Sequence, residues 1–147
     1  MFCDFKEVEC FVQQFEALTL PKTSWTHTAH FVVGLWYLSQ HPLPDAIERI
    51  RNGIFRYNEA VGTINSDTSG YHETLTLFYI HHISAFLGKH PTPKNFIEVL
   101  QELLKSKLLD KDFPLNYYSK ARIMSVEARR KWIEPDLRRL DEPIAGL

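Results

Sequence analysis

Apolar residues recur at three- and four-residue steps along most of this chain, and prolines cut the pattern into separate runs. Such spacing lines up one face of a helix, whereas a half-buried strand needs strict alternation. Phe5, Val8, Phe11, Val12, Phe15 and Leu18 form the first run, which Pro21 is expected to end. A second, from about Trp25 to Ser39 with Thr23 or Ser24 as its cap, is apolar almost all round. A helix without a polar face belongs in the middle of a bundle. Pro42 and Pro44 separate it from a third helix near 44–61, striped by Ile47, Ile50, Ile54 and Val61. Gly62 to Gly70 is turn chemistry and leads into a fourth helix that runs to about Leu87. Pro91 and Pro93 open a fifth. Past Leu109 the pattern weakens to a loop over 110–114, a short helix from Tyr117 to Met124, another from Ser125 to Trp132, and a tail. The fold class expected is all-α, a single-domain helical bundle over residues 1–147 with about five to seven helices and a loop-rich C-terminal part.

At 147 residues the chain is long enough for one real core. Its net charge of -1 supplies no global attraction to nucleic acid or to an anionic membrane, so neither is expected as a partner. The segment Lys120–Arg139 carries seven basic residues against three acidic ones and reads as a solvated face or a partner-binding one. Cys3 and Cys10 are the only cysteines and are expected as small buried hydrophobes, too far apart on one helix to bridge. With no disulfide framework, no signal peptide and no apolar run of about 20 residues, a soluble cytoplasmic protein is expected.

Two histidine segments point toward chemistry. His27 and His30 sit three apart, on one face of the second helix, and can reach a common point. His72 opens the fourth helix and is the natural third member. Three imidazoles from two helices suit one divalent metal, Zn, Fe, Mn or Ni. Glu73 is the candidate catalytic base or extra ligand, though a helix dipole and a capping role explain it equally well. Adjacent residues point about 100° apart, so if one of the pair faces inward it is His72. Asn58 continues the apolar stripe of the third helix in phase and can orient an imidazole. Trp25, Tyr57 and Tyr71 can line the same pocket, or simply pack. His41, His81, His82 and His90 lie elsewhere in the pattern. Phosphate-binding loops, GxSxG, HExxH and EF-hand signatures are missing.

Several blocks occur together: W-T-H-x-A-H from Trp25 to His30, Tyr57-Asn58, G-Y-H-E-T from Gly70 to Thr74, Tyr118-Ser119, and W-x-x-P-D-L from Trp132 to Leu137. In combination they resemble an uncharacterised, mainly bacterial family of small helical proteins with no established activity. The resemblance implies one recurring domain and lends no reaction or cofactor.

Three functional readings follow from the residues. The first is a metal-binding protein, acting as a metal-dependent enzyme on a small molecule, with its histidine pocket between the second and fourth helices. The second is a metal-free enzyme using His30 or His72 as acid and base. In the third, the histidines are structural, and the protein is a binding or scaffold module.

Overall fold

A computed structural model describes residues 2–90 and 95–140 of the chain. Within them the regular elements are helices joined by turns and irregular segments: α1 (Phe5–Glu16), α2 (His27–Gln40), α3 (Leu43–Ala60), α4 (Glu73–Gly88), α5 (Phe96–Leu104), α6 (Lys120–Ile123) and α7 (Val126–Arg130). Short 3-10 turns at Lys22–Ser24, Lys107–Leu109 and Phe113–Asn116 link them. No strand occurs among the described residues. The fold is the expected all-α bundle. Pro91 and Pro93, expected to open α5, and the tail from 141 lie outside the described residues.

The centre of the bundle is α2, which touches α1, α3, α4 and α5. Its all-round apolar sequence is the cause, since Phe31, Val32, Val33 and Leu35 are each at most 2% exposed. The closest packing is against α4, where Gly34 leaves room for Ile83. A Cβ on Gly34 would lie 3.3 Å from Ile83 Cδ1. The first turns of α2 lie beside the middle of α4, where His27 and Phe31 both pack against Tyr79.

Several boundaries differ from the sequence pattern for local reasons. Residue Thr26, rather than Thr23 or Ser24, caps α2, with its hydroxyl accepting from Ala29 N at 3.2 Å. The two earlier hydroxyl residues are used up in a 3-10 turn that swings Trp25 inward. Helix α1 stops at Glu16, short of Pro21, because Leu18 takes a left-handed conformation (φ 62°) and the amides of Thr19 and Leu20 turn back to Gln14 O. Cys3 and Cys10 are exposed, not buried hydrophobes. The inward stripe of α1 runs through Val8, Val12 and Phe15, and Cys10 falls off it.

A second, smaller core lies under the C-terminal segment. Phe78 of α4 packs there with Tyr117, Tyr118, Ile123, Ala128, Ile133 and Leu140. Polar bonds fix this segment to the beginning of α4. Thr74, fully buried, donates its hydroxyl proton to Lys131 O at 2.7 Å and accepts from Ile133 N at 3.2 Å. Tyr118 donates to Ile133 O at 2.6 Å. Much of the basic charge of residues 120–139 is spent the same way. Arg129 donates to the carbonyls of Gly70 and Tyr71, Arg130 pairs with Asp67, Arg122 donates to Glu134 O, and Arg138 lies over the Tyr117 ring.

Candidate functional site

Where α2, α3 and α4 diverge they leave a cavity of about 580 Å³, in the size range of small-molecule sites. Its walls are mainly aliphatic and aromatic, including Ile50, Ile54, Leu75, Tyr79 and Ile80. Four of the residues singled out from sequence, His27, His30, His72 and Asn58, line it together, and so do Trp25 and Tyr71. Tyr57 does not. It lies fully buried beneath Trp25, with its hydroxyl donating to Leu20 O at 2.7 Å.

Each imidazole is fixed by what its nitrogens meet. A carbonyl only accepts, so a ring nitrogen facing one must carry the proton. His30 points Nδ1 at Thr26 O, 2.8 Å away, which leaves the proton on Nδ1 and a lone pair on Nε2. Its ring rests against Trp25, with centroids 4.1 Å apart, and Trp25 in turn stacks on Phe15. His27 is held the other way round, donating Nε2–H to Leu109 O at 3.1 Å and keeping its lone pair on Nδ1. His72 has neither nitrogen to spare. Nε2–H donates to Ile123 O at 2.8 Å, and Nδ1 accepts from Leu75 N at 3.1 Å.

His72 is therefore the cap of α4, one residue before its first turn, and the tie between α4 and α6. Glu73 is turned away from the cavity. Arg51 grips its carboxylate with two bonds, of 3.1 and 2.9 Å, and Tyr71 donates to the same group at 2.5 Å. It lines an outer groove with Arg51 and Arg130 instead.

His30 lines the cavity and keeps an exposed surface. Desolvation by the surrounding protein lowers its pKa from 6.5, opposed by the bond to Thr26 O and reinforced by nearby His27. Burial also lowers His27 and His72, each against the pull of its carbonyl partner, with Lys111 adding to the effect at His27 and Arg129 at His72. All three shifts favour the uncharged ring.

Asn58 is oriented indirectly. Asn65 Oδ1 accepts from Tyr71 N at 2.9 Å and its amide donates to Phe55 O, so it can only present the oxygen to Asn58 Nδ2, at 3.0 Å. The remaining oxygen of Asn58 is an acceptor on a residue that lines the cavity. The loop holding Asn65 depends on Gly70, whose φ of +76° and close neighbours (Asn65 Oδ1 would lie 2.5 Å from a Cβ) leave no room for a side chain.

A metal would need at least three donors from these residues. His27 Nδ1 and His30 Nε2 supply two, while His72 and Glu73 are committed to other partners. Among the described residues no group of three His, Cys, Asp or Glu side chains is disposed to hold an ion. These side chains by themselves leave a divalent metal short of the donors it needs.

Lys22 was not foreseen. It comes from the 3-10 turn before Trp25, is exposed and lines the cavity. Its only sequence signal is a lone cation directly before a capping segment. Tyr79, whose hydroxyl is pushed up by burial and by Asp110, likewise lines the cavity. The chain matches no protein-family model, no curated protein and no solved structure.

Proposed function

We propose that the protein binds a small, mainly apolar molecule in the cavity between α2, α3 and α4 and that His30 takes a proton from it. The observation that carries this reading is the His30 imidazole, which lines the cavity and is held by Thr26 O on Nδ1, leaving the lone pair on Nε2. In the proton transfer, a C–H or O–H proton of the ligand moves to Nε2. The imidazolium so formed keeps its Nδ1–H on the Thr26 carbonyl, which stabilises the charge. Apolar walls and the Trp25 ring exclude bulk water and hold the ligand's body. His27 and Asn58 supply further polar contacts that orient the ligand. Among the described residues no helix is long and apolar enough to cross a membrane.

Nitrobenzisoxazole tests the base directly. Loss of its carbon-bound proton to Nε2 breaks the ring N–O bond and releases a coloured cyanonitrophenolate. The protein should accelerate this by at least about 100-fold over buffer, the scale of a positioned general base. The rate should fall with pH below 6.5 and vanish in His30→Ala, but persist in His41→Ala, whose ring stacks on Tyr37 away from the cavity. An equal rate in His30→Ala, or none in the wild type, overturns the proposal.

A divalent metal (Zn, Fe, Mn or Ni) is the alternative proposal, favoured by one observation. His27 and His30 line the same cavity, and each keeps one nitrogen lone pair. It requires the remaining donors to come from the ligand. One ion per chain by elemental analysis, lost in His27→Ala/His30→Ala, would support it.

A further inference from the structure

We infer that the molecule bound in this cavity is an organic acid: a carboxylate head on an apolar, ring-sized body. The inference rests on the ligand-binding reading above and narrows it. Three features carry it. First, the lining contains no Asp or Glu among the described residues, although acidic residues outnumber basic ones in the chain, 18 to 17. The nearest carboxylate in sequence to the lining histidines, Glu73, is neutralised by Arg51 and turned to the outer groove. Second, the one charged side chain in the lining is Lys22, and no ion pair or hydrogen bond occupies its ammonium among the described residues. A cation beside an apolar wall, with no acid to balance it, leaves a positive potential that an anion satisfies. Beyond the lining, Lys111 lies close enough to act on His27 and Arg129 on His72, while Asp110 acts on Tyr79 with the opposite sign.

Third, the charge lies at one side of the lining. Lys22 is exposed, on the solvent side of the lining, whereas Phe31, Ile50 and Ile80 are at most 4% exposed and form the interior wall. An occupant with one charged end and one apolar end matches that gradient. The carboxylate would meet Lys22 while the body slides along Trp25 and Tyr79, which brings the carbon or hydroxyl beside the body to His30. A neutral apolar molecule would gain nothing from Lys22, and a cation would meet it with like charge. Because the ammonium is exposed, its contribution is moderate and screened by salt.

Calorimetric titration with naphthylacetate and its neutral isostere naphthylacetamide, at low salt, tests the class. The acid should bind about tenfold more tightly than the amide, the preference of one accessible charge pair in a partly desolvated site. That ratio should fall toward one in Lys22→Met and also with added salt. Equal binding of acid and amide by the wild type overturns the organic-acid inference and leaves the binding reading standing. An acid preference that survives in Lys22→Met overturns the role of Lys22. Failure of both compounds to bind, with nitrobenzisoxazole also untouched, removes the binding reading itself.

Discussion

Replacing His72 by alanine should cost the protein stability rather than chemistry, and the cost can be worked from its two bonds. The Nδ1 acceptor caps the amide of Leu75, and loss of a side-chain cap costs about 1 kcal/mol. The Nε2–H satisfies the buried carbonyl of Ile123, and a buried acceptor left without a partner costs about 1–3 kcal/mol. Together the loss is about 3 kcal/mol, and for a chain this long that lowers Tm by roughly 6–12 °C. His72→Asn separates the two bonds, because an asparagine oxygen can cap Leu75 N but is too short to reach Ile123. It should recover about 1 kcal/mol of the loss.

Linkage gives the same residue a pH signature. Its folded pKa lies below 6.5, lowered chiefly by burial. The stability it contributes is therefore complete above about pH 6.5 and is lost as pH falls from there through the folded value, since the unfolded chain binds the proton first. His27 and His30 are shifted in the same direction and act in the same window, so the slope has to be compared with that of His72→Asn. Urea unfolding followed by circular dichroism at several pH values measures all of this. A His72→Ala protein within about 1 kcal/mol of wild type, or an asparagine no better than alanine, would refute the capping argument.

Thr74→Val keeps shape but strands Lys131 O and Ile133 N in the interior, and should lower the unfolding free energy by about 2–4 kcal/mol in urea. Hydrogen exchange should report faster opening of the C-terminal segment in that variant, and unchanged exchange would count against this anchor. Gly70→Ala places a Cβ against Asn65 Oδ1 and Ile64 O at positive φ, so a loss of about 1–3 kcal/mol is expected, read as a lowered Tm. Glu73→Gln should cost no more than about 1–2 kcal/mol, as a partly exposed ion pair does. It should leave the ring opening of nitrobenzisoxazole unaffected, and a large drop in that rate would restore Glu73 as the base.

The bundle and the meeting of α2 with α4 follow from residues visible in the sequence. Phe31, Val32, Val33 and Leu35 leave α2 no polar face, and a helix of that kind has to be central. The convergence of His27, His30, His72 and Asn58 on one cavity was legible for the same reason, because each stands at or near the apolar face of its helix. Their individual chemistry was not. His72 looks like a ligand in sequence, and only the loop through Gly70 and the arrival of Ile123, 51 residues away, commit both its nitrogens. His27 is tied down by Leu109 from 82 residues away, a carbonyl with no sequence signature.

The cap of α2 was expected at Thr23 or Ser24, and the 3-10 turn that takes up both moves it to Thr26. The second core was hidden because Tyr117, Tyr118, Ile123 and Ile133 sit in helices and turns too short to show a period. Thr74 likewise reads as an ordinary first-turn residue until its two distant backbone partners are seen.

The central claim is that His30 presents a neutral, proton-accepting Nε2 to the cavity, and nitrogen-15 NMR of the imidazoles measures this directly. At neutral pH, His30 should carry its proton on Nδ1, while His27 and His72 carry theirs on Nε2. All three should titrate below 6.5. A His30 ring protonated on Nε2, or one that titrates above 6.5, would contradict the account.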